Sequence, residues 1–257
     1  DYSEGCKNDY NNFPGNLAIV GTPVIDTTTE AMYFVSVTLD TLTHTFFHTL
    51  HAISILDGSE KPGSPVVVSA EVNGNGSGNV AGVVSFTPHH ANQRPGLLLH
   101  GNNVIIAWGS HCDWSPYHGW MMAYDKSSLQ QMAVFNSTKD GDGGGFWMSG
   151  NGISLDEDGY IYAGTGNGSV GVTGDPTNMS NRAGSAFKIQ LTGSGFVVSD
   201  YFTPKNFAEM NDNGDDFAPA NLMLVPGTNL IITGSKDGSV YVLDKNNLGQ
   251  FHADSNY

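Results

Sequence analysis

"ANLMLVPGTNLIITGSKDGSVYVLDKNN" (220–247) decides the fold. Three β-prone runs, 221–225, 230–234 and 239–244, are separated by "PGTN" and "KDG". Pro-Gly and Asp-Gly pairs favour tight reversals, because glycine takes a positive φ at no steric cost. The segment reads as an antiparallel meander.

The same phrase recurs upstream. "GISLDEDGYIYAGTG" (152–166) is strand, Asp-Gly turn, strand, and "SAFKIQLTG" (185–193) and "GFVVSDYF" (195–202) supply a third and a fourth. "RPGLLLHGNNVIIAWGS" (94–110) pairs two strands around "HGNN", followed by "GWMMAYDKSS" and "QQMAVF". The first copy runs from "AIVGTPVIDTTTEAMYFVSVT" (18–38) through "HTLHAISILDGS" to "PVVVSAEV". Third strands carry the firmest register: "LHAISILDG" (50–58), "WMMAYDKSS" (120–128), "AFKIQLTGS" (186–194) and "VYVLDKNNL" (240–248). Their spacing of about 55–70 residues exceeds a minimal blade, so loops are inserted between strands. A recurring four-stranded unit predicts an all-β fold, a β-propeller of antiparallel blades. A stack of sandwiches is the structural alternative, and near-absent helical periodicity argues against a βαβ fold. The predicted blades are 17–90, 91–145, 146–205 and 217–257, within one domain over 1–257. About four blades rarely close a ring, and the fourth unit stops after its third strand. The chain is therefore expected to be part of a larger ring of seven or eight blades. Its open strand edges call for cover by the remainder of the propeller or by another copy of the chain.

Composition narrows the function. The 257 residues carry a net charge of −15, with only 14% charged residues and two arginines, Arg94 and Arg182. Nucleic acid needs a basic stripe to neutralise phosphates, and none exists. No apolar run approaches the roughly 20 residues of a membrane span. Excess carboxylate suits divalent cations and hydroxyl-rich partners such as carbohydrate, or serves solubility alone. Scarce lysine, abundant Asn, Ser and Thr, and two cysteines, Cys6 and Cys112, predict a secreted chain in an oxidising setting, with a Cys6–Cys112 disulfide. Four N-x-[ST] sequons, at Asn75, Asn136, Asn167 and Asn178, predict N-glycosylation.

Individual residues leave several readings open. Asn167, in "YAGTGNGS" (162–169), is a metal ligand, a glycan acceptor or a plain turn. Asp215 and Asp216 form an acidic pair, and paired carboxylates can raise one pKa and create a general base. Asn211, Asn213 and Asp215 have a spacing that weakly suggests a calcium loop but lacks the terminal Glu. Arg94 stands beside a proline at a strand start, suited to a salt bridge or to ligand binding. Trp114, Trp120, Trp147, Tyr117 and His118 form an aromatic set suited to core packing or to stacking on sugar rings.

"PGLLLHGNNVIIAWGSHCDWSPYHGWMMAYDKSS" (95–128), "YIYAGTGNGS" (160–169) and "DDFAPANLML" (215–224) together resemble the eight-bladed quinoprotein alcohol dehydrogenases, which bind pyrroloquinoline quinone (PQQ) and calcium. The whole chain resembles still more a secreted subgroup of PQQ-repeat propellers without an established activity. That likeness rests on "GTPVID" (21–26), "NQRPGLLL" (92–99), "SHCDWSPYHGW" (110–120), "GGGFWMSGNG" (143–152) and "DYFTP" (200–204). The resemblance implies Asn167 as a calcium ligand with Asp113 as the nearest further carboxylate. It implies Asp216 as catalytic base; Arg94, His118 and Trp147 are the candidate cofactor-binding residues under the quinoprotein reading. Departures accompany it: His118 stands where an arginine is expected, no adjacent cysteines exist, and Asp215 replaces a tryptophan. The expectation is an extracellular propeller glycoprotein serving as a binding or structural platform, with no certain cofactor beyond possible calcium. The alternative is a PQQ- and calcium-dependent alcohol or sugar dehydrogenase.

Overall fold

A computed structural model describes residues 18–173 and 175–255, and four antiparallel sheets dominate it. The first contains β1 (Val24–Asp26), β2 (Ala31–Asp40), β3 (Thr45–Ser54) and β4 (Val66–Val67), in that order. A hairpin of β5 (Glu71–Asn73) and β6 (Val83–Ser85) leads to the second sheet. There β7 (Ala91–Asn92) and β8 (Leu98–His100) both pair with β9 (Asn103–Ser110), followed by β10 (Trp120–Asp125) and β11 (Gln131–Asn136). The third runs β12 (Ser154–Leu155), β13 (Ile161–Gly164), β14 (Ala186–Thr192) and β15 (Gly195–Thr203). A short helix, α1 (Phe207–Asn213), precedes the fourth sheet of β16 (Met223–Leu224), β17 (Leu230–Gly234) and β18 (Val240–Asp244). The expected third strands fall in β3, β10, β14 and β18.

Three cores separate the four sheets, and the middle strands of the second and third sheets each feed two of them. Val104, Ile106 and Trp108 of β9, with Trp120, Met122 and Tyr124 of β10, pack on Tyr33, Val35 and Leu50 of the first sheet. The intervening Ile105, Ala107, Met121 and Ala123 pack on Ile161, Phe187 and Ile189 of the third. Tyr162, Ala186 and Phe202 then meet Phe217, Ile231 and Tyr241 of the fourth. Successive strand residues point to opposite faces, so a sheet between two neighbours must be apolar on both. Continuous runs such as "NVIIAW" are the consequence.

Two matching turns fasten the sheets in pairs. "DKSSL" (125–129) and "DKNNL" (244–248) each bury their leucine, Leu129 and Leu248, in the core shared with the preceding sheet. Lys126 reaches Asp26 at the end of β1 at 2.7 Å, and Lys245 reaches Glu157 beyond β12 at 2.6 Å. The bond from Lys126, with a second from Thr28, holds the Asp26 carboxyl well below the usual range.

The end of the chain departs from expectation. After β18, β19 (Gln250–Phe251) pairs in parallel with Phe202 and Thr203 of β15. Burial of Leu248 draws the backbone back onto the third sheet. The "NDNGDDF" loop also differs, because Asn211 and Asn213 lie in the last turn of α1, capped by Gly214 at φ 76°. The Asn211, Asn213, Asp215 spacing is thus a helix end, not a calcium loop.

The sequons separate by environment. Asn75 is exposed and Asn178 half-buried. Asn136 is only 9% exposed, and its Oδ1 accepts from the Thr138 N–H at 2.9 Å. A glycan on Asn136 would have to displace this packing. Cys6, half of the expected disulfide, lies outside the described residues.

Candidate functional site

The "GDGGGFW" stretch (141–147) builds the site as a backbone strap between the second and third sheets. The Gly143 N–H donates to the Tyr117 carbonyl at 2.9 Å, the Gly144 N–H to the Asn167 carbonyl at 2.6 Å, and the Gly166 N–H to the Gly145 carbonyl at 3.0 Å. Side chains are excluded where backbones lie this close: a Cβ on Gly143 (φ 77°) would stand 2.6 Å from the Asn167 carbonyl oxygen. The strap explains a glycine run that carries no lysine for a phosphate.

Above the strap opens a cleft of about 390 Å³, lined among others by Asp113, Asp142, Asn167, Asn211, Asp216 and Lys236. Asp113, Asn167 and Asp216, more than a hundred residues apart at the extremes, therefore meet as the resemblance implies. Asp216 is buried to 7% exposure. Its Oδ1 accepts from the Asn167 N–H at 2.9 Å, and its other oxygen is ion-paired with Lys236. Asn211, at the end of α1, accepts from the Gly168 N–H at 2.7 Å. The Asn167 amide, with its nitrogen toward the Asp215 carbonyl (3.1 Å) and its oxygen toward the Asp215 N–H (3.2 Å), clamps the backbone beside Asp216. That engagement holds the half-exposed Asn167 side chain beside Asp216. Asp113 accepts from the Tyr117 hydroxyl at 2.9 Å. Burial, reinforced by Asp113 and then by Asp216 and Asp142, pushes the Tyr117 phenol far above its ordinary value. Asp142 is itself held by the Ser115 hydroxyl at 2.8 Å and the Tyr117 N–H at 3.2 Å.

The three expected cofactor residues do not share this cleft. Arg94 is exposed on the loop between β7 and β8, with no ion pair among the described residues. His118 is buried, with Nε2 on the Ser77 carbonyl at 2.9 Å and Nδ1 on Thr138 at 3.0 Å. Both its nitrogens are engaged by protein, so it has none for a ligand. Trp147 stands behind the cleft, slotted against Gly109, Gly145 and Gly166, with its ring centroid 6.1 Å from that of Tyr117. A Cβ on Gly166 would come within 2.2 Å of Trp147 Nε1 and 2.3 Å of Asp216 Oδ1. Sequence reasoning missed Asp142, Lys236 and Asn211 as cleft residues. Lys236 had a legible signal, being one of ten basic residues and placed in an Asp-Gly turn.

These side chains do not fit calcium with a quinone. Calcium needs six to eight converging oxygens, and no group of three His, Cys, Asp or Glu among the described residues converges that way. The best-placed donors are turned inward instead: Asn167 onto Asp215, Asp216 onto Lys236, and Asp113 onto Tyr117. The arrangement can accept hydrogen bonds from hydroxyls at its rim, where Asp113 and Asn211 are exposed.

No protein-family model matches the sequence, and no curated protein matches it. Among solved structures, the quinohemoprotein alcohol dehydrogenase ADHIIG of Pseudomonas putida HK5 aligns with a TM-score of 0.54 at 13% identity, over 91% of this chain and 42% of that one. The quinohemoprotein alcohol dehydrogenase of Comamonas testosteroni gives 0.45 at 15% identity, over 90% and 43%. A europium-containing methanol dehydrogenase gives 0.46 at 13% identity, over 91% and 50%. The chain spans half or less of the length of each. Identity this low speaks to fold alone: with the four sheets and their shared cores, the alignment at a TM-score of 0.54 gives this chain a β-propeller architecture like that of part of the ADHIIG structure.

Proposed function

We propose that the chain belongs to an extracellular propeller that works as a rigid binding or structural platform rather than as a quinone-dependent alcohol dehydrogenase. One observation carries this reading: Asp216, Asp142 and Asn167 in the cleft are already engaged by the protein's own groups. A polar network closed on itself rigidifies a site. It leaves only rim donors and acceptors for a partner, which suits a neutral, hydroxyl-rich molecule such as carbohydrate. Secretion, the Cys6–Cys112 disulfide and glycans on Asn75 and Asn178 are part of the same proposal. So is cover for the open face of the fourth sheet, by the remainder of the propeller or by another copy of the chain. Intact mass separates those two, since a species much heavier than chain plus glycans means further sequence.

The second reading, a PQQ- and calcium-dependent dehydrogenase with Asp216 as base, is favoured by the meeting of Asp113, Asn167 and Asp216 at one cleft. Adding PQQ, calcium and an alcohol or sugar, with a redox dye as electron acceptor, decides between the two. The platform reading expects no dye reduction and no quenching of tryptophan fluorescence by PQQ. Dye reduction that disappears in Asp216→Asn would overturn it.

A further inference from the structure

His48 belongs to no part of the cleft, yet its environment is the most restrictive of any histidine described. It sits on β3 with no exposed surface, at the contact between the first and second sheets. Its Nδ1 faces the Trp108 Nε1–H of β9 at 3.2 Å, and its Nε2 faces the Pro88 carbonyl at 3.1 Å. An indole nitrogen only donates and a carbonyl only accepts. The two partners therefore fix one species, the neutral ring with its proton on Nε2. Phe86 and Trp108 close around it edge-on, at centroid distances of 5.6 and 6.5 Å. The titratable groups nearby are His111 and, beyond it, His89. No carboxylate, lysine or arginine among the described residues bears on it. A proton on Nδ1 would aim N–H at N–H, break the bond to Trp108 and place in the core a cation faced only by the Pro88 and Ala91 carbonyls, whose support burial outweighs.

We propose that His48 is an acid-sensitive pin, which locks the first sheet onto the second while neutral and lets the two part once it is protonated. Burial supports the direction, lowering its pKa from 6.5 to about 4. The sign follows from that. Between these two values the unfolded chain takes a proton that the folded chain refuses, so stability falls as pH drops from 6.5 toward 4 and then levels off.

The test is denaturant unfolding between pH 7.5 and pH 3, values on the order of one unit beyond the window on each side. His48→Gln keeps both bonds, with the amide oxygen toward Trp108 and its nitrogen toward Pro88, but cannot titrate. From high to low pH, the unfolding equilibrium constant of the unmodified chain should rise about 300-fold more than that of the variant. The exposed His44, replaced by Gln, should leave the unmodified profile in place. An equally steep rise in His48→Gln overturns the proposal. Should that variant fail to fold, nitrogen NMR of the unmodified chain gives an independent reading. A His48 ring neutral down to about pH 4 supports the pin, and titration near the ordinary 6.5 overturns it.

Discussion

β10 and β18 hold the same place in their sheets and meet opposite fates. "WMMAYD" of β10 is buried residue after residue, with only Asp125 half-exposed. "VYVLD" of β18 buries Tyr241 and Leu243 but leaves Val240 and Val242 71% and 59% exposed. Both sequences are apolar on both faces, so composition does not separate them. What differs is the number of neighbouring sheets. β10 lies between two, and β18 packs on one. An apolar run in this fold thus records a demand for two neighbours, and the second sheet meets it where the fourth does not.

Replacing core residues tests that difference most sharply. Phe187→Ala, in the core between the second and third sheets, should cost about 3–5 kcal/mol of unfolding free energy in denaturant titration. A loss under about 1 kcal/mol would mean that this core is loosely packed. Gly166→Ala should cost about 1–3 kcal/mol through overpacking, because its Cβ would collide with Trp147 and Asp216. The same variant should alter the near-ultraviolet signal of Trp147. Asp26→Asn should have a smaller effect with a distinct pH dependence. Because the folded Asp26 carboxyl is held below its ordinary 3.8, its contribution is present above that value and is lost as pH falls below it. The variant should therefore lack that part of the acid-induced loss seen in the unmodified chain. Val242→Ala should be smallest, under about 0.5 kcal/mol, as expected for an exposed position. A loss comparable with Phe187→Ala would break the comparison, and would show that another sheet covers Val242 in solution.

Much of the fold was legible because turn chemistry and strand register are local. Asp-Gly and Pro-Gly pairs mark reversals wherever they stand, and the third strands repeat a recognisable phrase. The site was legible only through the resemblance, which brought Asp113, Asn167 and Asp216 together without saying what each would bond. Lys236 and Asp142 escaped notice because their importance comes from partners far along the chain. Arg94 shows that scarcity is not position: it lies exposed on the loop between β7 and β8 and does not line the cleft. The seven residues of α1 were too few, among polar neighbours, to show an apolar stripe.

The sequence by itself determined the alternation of short strands and tight turns, the apolar runs that need cover on two sides, and a net charge of −15. Only the tertiary structure decided which carboxylates are tied to partners, which asparagines are buried and which valines stay bare. Those properties depend on groups brought together from different sheets, and hydrogen bonding and burial are set by such neighbours, not by order along the chain.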